Sequence, residues 1–195
     1  LLFNVNQGEQ RQVFTTHIIT GETKNIPIEN YPATSARWLT DNAILYSCQI
    51  DNVWVLCSLD LLTSESDVLY QQKLFDPLIS QDRKLVYFTQ DKKGLWVFDL
   101  ESKEVKLLWQ DLPPSLGIGW TVFNNKIYYL RAATQIGMAQ IESRDLITGE
   151  TKILYRGALP SFNASLNISS DGNFLIFSSW RAAQDDIVVF KPVEF

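Results

Sequence analysis

The sequence has little of what enzymes most often use for catalysis. It contains one histidine, His17, and two cysteines, Cys48 and Cys57. There is no Cys-x2-Cys or His-x3-His pair, no Gly-x-Ser-x-Gly turn, no phosphate-binding loop and no Gly-x-Gly-x-x-Gly fingerprint. These absences exclude the zinc, serine hydrolase and nucleotide sites that a sequence can reveal. We therefore predict a protein that is not an enzyme and that carries no cofactor and no metal.

Excess positive charge and long apolar runs are also missing. The 195 residues have a formal net charge of -5, and phosphate backbones repel acidic surfaces, so we expect no direct contact with nucleic acid. No window of about 18 apolar residues occurs, so any membrane attachment is expected through a segment outside this chain. The start, Leu1 to Asn6, has neither Met nor a basic or apolar leader. We therefore expect it to lie inside a longer chain.

What the sequence does contain is strand-forming residues in a repeating order. Aromatic residues reach 12% of the chain, and these favour pleated, half-buried surfaces. One phrase, a strand end followed by a tight turn, occurs four times. The first and fourth copies read His-Ile-Ile-Thr-Gly-Glu-Thr-Lys and Asp-Leu-Ile-Thr-Gly-Glu-Thr-Lys. The copies begin at His17, Asp60, Asp99 and Asp145, in steps of 43, 39 and 46 residues, and Lys191 lies 46 residues further on.

A second phrase, a polar turn that leads into an apolar strand, keeps step with the first. Its best copies are Ser80–Phe88 and Ser169–Phe177, and weaker copies are Thr40–Tyr46 and Phe123–Tyr129. Ser, Asp, Asn and Gly allow the chain to reverse, and the apolar runs that follow are typical of strands buried on both faces. Two phrases in register at this period favour a repeat architecture. A β-sandwich with similar hairpins is the alternative.

Each repeat predicts four antiparallel strands, which is the blade of a β-propeller. We predict an all-β propeller of about five four-stranded blades, treated as a single domain over 1–195. The predicted blades are 1–30, 31–71, 72–111, 112–157 and 158–195. The first copy lacks its inner strand and the last lacks its outer strand. The propeller is therefore expected to be incomplete or part of a larger one.

These phrases resemble the WD40-like (PD40) repeats of the TolB family. The resemblance is strongest over Ser80–Lys106 and Ser169–Phe190. Such repeats occur in periplasmic TolB, in the propellers of prolyl-oligopeptidase-like enzymes, and in the C-terminal sensory regions of membrane-anchored CadC/ToxR-like winged-helix regulators. The closing run Gln184–Phe190 is most similar to the last group. Because the motif residues are structural in all three, no functional residue carries over.

The resemblance implies a periplasmic, bacterial protein that acts by binding. We expect a sensor or protein-interaction propeller, the C-terminal domain of an inner-membrane-anchored transcriptional regulator. A protein partner or small ligand would bind at the end face of the propeller. The alternatives are a propeller that gates a prolyl-oligopeptidase-like peptidase and a TolB-type envelope scaffold. An incomplete ring would expose an apolar blade face, so self-association is also expected.

The two cysteines are candidates for a disulfide. Cys48 and Cys57 fall on the two strands of one predicted hairpin. A four-residue loop, Asp51 to Trp54, would place them directly opposite each other, whereas a two-residue loop would leave them diagonal. A periplasmic location would permit the bond, and a labile bond would offer a redox sensor. The alternative is two buried free thiols.

The remaining candidates are an apolar loop and several acidic residues. Pro113, Pro114 and Trp120 are proposed as an interaction surface, although Trp120 packed between blades is the alternative. The acidic residues Asp82, Asp171 and the pair Asp185–Asp186 are expected to cap turns rather than to act as acids or bases. His17 occupies a turn position that holds Asp in three other copies, which explains it without catalysis.

Overall fold

The computed structural model describes residues 1–7, 10–28, 33–90, 93–111, 119–132, 138–158, 166–181 and 184–190. Within these ranges the chain forms 18 strands. They make five antiparallel sheets, in each of which the strands lie side by side in chain order. The predicted all-β propeller class is confirmed. In this part of the chain no helical stretch has the length and hydrophobicity needed to cross a bilayer.

The strands are distributed among the sheets as follows. The first sheet contains β1 (Leu2–Gln7), β2 (Gln10–Thr16) and β3 (Thr23–Ile26). The second contains β4 (Ala33–Trp38), β5 (Ala43–Ile50), β6 (Val53–Asp60) and β7 (Ser66–Tyr70). The third contains β8 (Phe75–Ile79), β9 (Leu85–Gln90), β10 (Lys93–Asp99) and β11 (Val105–Trp109). The fourth contains β12 (Trp120–Phe123), β13 (Lys126–Ala132), β14 (Met138–Asp145) and β15 (Thr151–Ala158). The fifth contains β16 (Leu166–Ile168), β17 (Leu175–Arg181) and β18 (Gln184–Phe190).

The three complete sheets define strand positions A to D in chain order. The turn phrase that begins at Asp60, Asp99 or Asp145 joins strands C and D of these sheets. In the first sheet the equivalent turn begins at His17 and joins β2 to β3, so β1 occupies position B. The described residues of the first sheet therefore include no strand A, and those of the fifth include no strand D.

Each complete sheet has two distinct ends. The A–B and C–D turns meet at one end, where the backbone amide after the turn aspartate donates to a carbonyl of the A–B turn. These bonds are Leu61 N to Asn42 O (2.8 Å), Leu100 N to Lys84 O (2.9 Å) and Leu146 N to Asn125 O (2.8 Å). We call this the turn end. Because neighbouring strands are antiparallel, the B–C and D–A connections lie at the opposite end, which we call the connection end.

The chain divides into two compact units, Leu1–Leu107 and Leu108–Phe195. In the first unit one core packs the first sheet on the second, with Val13, Ile26, Ile44 and Cys57 among its buried residues. A separate core packs the second sheet on the third. In the second unit the core lies between the fourth and fifth sheets and includes Leu130 and Phe177. Burial of such side chains is the main force that holds the sheets together.

One position of strand B carries an aromatic residue in all five sheets. In the second, third and fourth sheets it lies four residues after the residue that precedes strand B, and in the fifth sheet it lies eight residues after Ser169, as Phe88 lies eight after Ser80. All four side chains are buried. In the first sheet the same position is fixed by pairing, because Phe3 lies opposite Phe14 as Tyr46 lies opposite Cys57. The five residues are Phe3, Tyr46, Phe88, Tyr129 and Phe177.

Candidate functional site

The aspartates of the C–D turns are engaged by the backbone. Oδ1 of Asp60, Asp99 and Asp145 each accepts the N–H groups two and three residues ahead, at 2.8–3.0 Å. These hydrogen bonds stabilise the ionised form and lower the pKa of all three carboxyl groups. The carboxylates therefore serve to hold the turns in shape.

His17 takes over this role in the first sheet. Its Nδ1 accepts the N–H of Thr20, three residues ahead, at 3.3 Å. That is the bond made by Thr63 N–H to Asp60 in the second sheet. The position in the repeat thus accounts for the histidine, as the sequence indicated.

A different cap shapes the A–B turns of the third and fifth sheets. The hydroxyl of Ser80 donates to Asp82 at 2.6 Å, and that of Ser169 donates to Asp171 at 2.5 Å. The serine hydroxyl is the largest influence on each carboxyl group, and it lowers the pKa of Asp171 to about 2 and lowers that of Asp82 as well. Both residues are turn caps. The side chains of Asp185 and Asp186 lie outside the described part of the structure.

Cys48 and Cys57 lie close enough to be bonded. Their Sγ atoms are 1.99 Å apart and their Cα atoms 6.1 Å apart. The hairpin has a two-residue turn, Asp51–Asn52, both at positive φ. Cys48 therefore lies opposite Val55 and diagonal to Cys57, which is the second of the two registers that the sequence allowed. Both residues are buried in the core of the first unit. The sulfur atoms are therefore not accessible, which does not favour a redox sensor.

The predicted apolar interaction surface is not supported at Trp120. Its side chain is only 2% exposed, and the residue begins β12, opposite Tyr129 of β13. Trp120 is thus a core residue of the fourth sheet and not part of a contact surface. Pro113 and Pro114 lie outside the described residues.

The sequence did not reveal a buried carboxylate in the fourth sheet. Glu142 of β14 is 3% exposed. Its Oε2 accepts the hydroxyl of Tyr129 at 2.5 Å, and its Oε1 accepts the amide of Gln140 and the guanidinium of Arg131, the latter at 3.5 Å. Burying a carboxylate is costly unless partners of this kind compensate for lost hydration.

Tyr129 holds the Glu142 carboxylate in place through its hydroxyl group. Burial, and then the hydrogen bond to Glu142, raise the pKa of the Tyr129 hydroxyl well above its ordinary value. The ring of Trp109 packs 5.5 Å from that of Tyr129, and the guanidinium of Arg144 lies 4.6 Å from the Trp109 ring centre. The neutral phenol therefore remains a hydrogen-bond donor to Glu142 over the whole physiological pH range.

The ion pair and the cysteine pair occupy equivalent positions in their sheets. Counted from the A–B turn, Arg131 corresponds to Cys48, and counted back from the turn aspartate, Glu142 corresponds to Cys57. Arg131 lies opposite Gln140 and diagonal to Glu142, the same relation as in the cysteine hairpin. One diagonal of the B–C hairpin thus carries a sulfur pair in one blade and a charge pair in another.

A row of polar residues crosses the fourth sheet beside Glu142. Gln140 lies opposite Arg131 on one side and opposite Arg156 on the other, and directly opposed residues share a face. Both arginines are exposed. We call these three residues the arginine row. It lies at the connection end of the sheet. In the described residues no three His, Cys, Asp or Glu side chains come together as a metal site.

Solved structures with a similar fold include several β-propellers. TolB from Acinetobacter baumannii matches with a TM-score of 0.78 and 15% identity, over 98% of this chain and 48% of that protein. A nidogen/laminin complex matches with a TM-score of 0.66 and 12% identity, over 96% of this chain and 72% of the other. Pyrococcus horikoshii acylaminoacyl peptidase matches with a TM-score of 0.61 and 14% identity, over 97% and 36%.

These likenesses establish the β-propeller fold and agree with TolB-like repeats. The chain spans about half the length of the TolB structure, 48%. No protein-family model matches the chain, and no curated protein sequence matches it.

Proposed function

We propose that this chain is a non-enzymatic binding propeller. The observation that carries the proposal is that His17 and the repeated aspartates serve to shape turns. His17, Asp60, Asp99 and Asp145 all accept backbone N–H groups at the same point of the repeat. A side chain held in this way has a role in the turn that accounts for it without catalysis.

Binding is best placed at the connection end of the fourth sheet. The exposed arginine row lies at this end, so a protein or small ligand would meet charged groups there.

We further propose that the parent protein is a membrane-anchored transcriptional regulator and that this chain is its periplasmic sensory domain. Support comes from the TolB-like repeats and from the cysteine pair, since disulfides persist in oxidising compartments such as the periplasm. The net charge of -5 agrees with a segment that leaves DNA contact to another domain.

A propeller that serves an adjacent peptidase domain is the second candidate. It is favoured by the likeness to the acylaminoacyl peptidase, of which this chain covers 36%. A TolB-type envelope scaffold is the third, favoured by the match to TolB. In all three cases the isolated chain would bind rather than catalyse.

The parent reading frame separates the three. A winged helix and a membrane span before residue 1 would support the regulator, a hydrolase domain with a nucleophile elbow after residue 195 would overturn it, and a signal peptide with a small α/β domain would favour the scaffold. Location is tested by fusing alkaline phosphatase after the chain in the full-length protein. Phosphatase activity is expected, because that enzyme needs the oxidising periplasm, and an inactive fusion would contradict the proposal.

Self-association is proposed as well, because β1 is an outer strand of the first sheet and a strand edge can pair with another copy of the chain. Light scattering over a range of concentrations tests it. A mass that rises with concentration is expected, and a monomer at every concentration would contradict it.

A further inference from the structure

We propose that the arginine row, Arg131–Gln140–Arg156, is a recognition site for an acidic peptide segment. This deepens the proposed binding function by naming the site and the chemistry of the partner. Three observations carry it: the placement of the two arginines, their support by Glu142, and the mixture of donors and acceptor that the row offers.

The first observation is the spacing of the cations. Arg131, Gln140 and Arg156 lie side by side on β13, β14 and β15. Neighbouring strands are about 4.8 Å apart, so the Cα atoms of the two arginines are about 10 Å apart. Alternate side chains of an extended peptide point the same way at intervals of about 6.8 Å. Two long arginine side chains can converge on two carboxylates at that interval.

The second observation is that Arg131 is oriented by an ion pair and still remains exposed. Its Nη1 lies 3.5 Å from Oε1 of Glu142, yet 54% of its side chain remains exposed. The carboxylate is buried, and its other oxygen is occupied by the Tyr129 hydroxyl. A guanidinium has five N–H donors in a rigid plane. Glu142 therefore fixes the direction of Arg131 and leaves donors for a second carboxylate.

The third observation distinguishes a peptide from an inorganic anion. The amide nitrogen of Gln140 donates to Glu142, which leaves its Oε1 as an acceptor on the face that also carries the two arginines. A carboxylate-bearing peptide supplies both acidic side chains and backbone N–H groups, and so matches the row. Inorganic phosphate is mainly an acceptor near neutral pH, and it offers no backbone N–H group to Gln140 Oε1.

The arginine row is basic, whereas the chain as a whole is acidic. With 22 acidic and 17 basic residues, the surface repels acidic partners on average. A pair of exposed arginines at one end of one sheet would direct such a partner to this place. Binding is therefore expected to weaken as salt screens the attraction.

The test uses the whole chain and a short probe, acetyl-Glu-Ser-Glu-Ser-Glu-amide, in calorimetric titrations at about 20 and 200 mM salt, roughly a threefold change in Debye length. The neutral Gln-Ser-Gln-Ser-Gln peptide and inorganic phosphate are titrated beside it. We expect the acidic peptide to bind, more weakly at high salt, and to exceed both comparison ligands in affinity.

Variants locate the site. Arg131→Ala and Arg156→Ala should each weaken binding by about tenfold or more, since each removes charge-assisted hydrogen bonds. Arg131→Lys keeps the charge but loses the planar fork, so an intermediate loss is expected. Lys126→Ala is the matched control, because Lys126 is exposed on the same strand β13 but at the turn end, and it should leave affinity unchanged. A single cooperative urea transition for each variant confirms that it is folded, and Arg131→Ala is expected to have a lower midpoint because buried Glu142 loses a partner.

Several outcomes would overturn the assignment. They are no binding at low salt, equal binding of the neutral peptide, equal or tighter binding of phosphate, or the same loss with Lys126→Ala as with Arg131→Ala. These outcomes are independent of the parent reading frame. A parent without a winged helix would refute the regulator and leave the peptide site intact, whereas a failed titration would refute the site alone.

Discussion

The guanidinium of Arg131 lies 3.5 Å from the carboxylate of Glu142, across a diagonal of the β13–β14 hairpin. In the second sheet the equivalent diagonal joins Cys48 to Cys57. The backbone at this diagonal therefore accepts either a covalent or an ionic pair, while the aromatic residue next to it in strand B is retained. This equivalence leads to a direct test.

The cysteine pair should be transferable to the fourth sheet. In a Cys48→Ala/Cys57→Ala background, the double substitution Arg131→Cys/Glu142→Cys should form a disulfide, because the second sheet spans this diagonal with a Cα–Cα distance of 6.1 Å. Mass spectrometry after alkylation, with and without reduction, measures it. The control is Arg131→Cys/Arg144→Cys, displaced by two residues along β14, which should stay reduced. A reduced Arg131→Cys/Glu142→Cys protein would contradict the equivalence.

The native pair should itself be oxidised. Alkylation of the unfolded wild type should modify neither cysteine before reduction and both cysteines after it. An alkylated mass that is the same with and without reduction would mean free thiols throughout. The sequence separation is 9, so loss of the bond should lower the free energy of unfolding by about 2–3 kcal/mol. The Cys48→Ala/Cys57→Ala protein is the control, because reductant should not change its stability.

Tyr129→Phe should destabilise the fourth sheet. The substitution leaves Oε2 of buried Glu142 without its donor, which costs about 1–3 kcal/mol at pH 7. Because the pKa of Tyr129 is raised in the folded state, its contribution is complete below about pH 10, the ordinary value, and is lost as the pH rises above it. Urea unfolding of both proteins should give a constant difference between pH 7 and 9 that shrinks by pH 11. A difference that stays constant to pH 11 would contradict the raised pKa.

His17→Asp should be tolerated, because Asp accepts two N–H groups at the corresponding positions of the other sheets. We expect unchanged or higher stability by urea unfolding, with a gain of up to about 1 kcal/mol. His17→Ala is the control and should be less stable than His17→Asp. A large loss with both substitutions would assign His17 a role that the turn does not explain.

The carboxyl group of Asp171 should titrate well below the usual range for an aspartate. Its pKa of about 2 depends first on the hydroxyl of Ser169, so Ser169→Ala should move it toward the ordinary 3.8 in a carboxyl-carbon NMR titration. Since the pKa is depressed, the stabilisation is present above the ordinary value and is lost as the pH falls toward 2. Asp82 in the same variant is the control and should not move. An ordinary pKa for Asp171 in the wild type would rule out the cap.

The turns were the most predictable part of the fold. Asp60 and Asp145 stand at fixed repeat positions, and their side chains make the local backbone bonds that such residues favour. The order of strands followed from these positions. The register of the cysteine hairpin did not, because Asp51–Asn52 and a longer loop are both consistent with the sequence, and only positive φ at both residues selects the shorter turn.

The charge cluster escaped sequence analysis for a physical reason. Blade strands are buried on both faces, so alternation does not mark the inward side, and Glu142 looks like one polar residue among several in β14. Its burial depends on Tyr129 and Arg131 of the neighbouring strand. Aligning the fourth repeat on the second would have placed Arg131 on Cys48 and Glu142 on Cys57. That alignment is the signal that could have found the pair.

The burial of the cysteines sets an order of events in biogenesis. Cys48 is 0% exposed and Cys57 3%, and side chains of the first sheet such as Val13 cover them, so no oxidant reaches the sulfurs once the two sheets have packed. Closing so short a loop takes about 10–100 ns, whereas making the bond takes seconds to hours. Oxidation is therefore the slow step, and we expect it to precede docking of the first sheet. A chain that docks this sheet too early would be trapped with both thiols reduced.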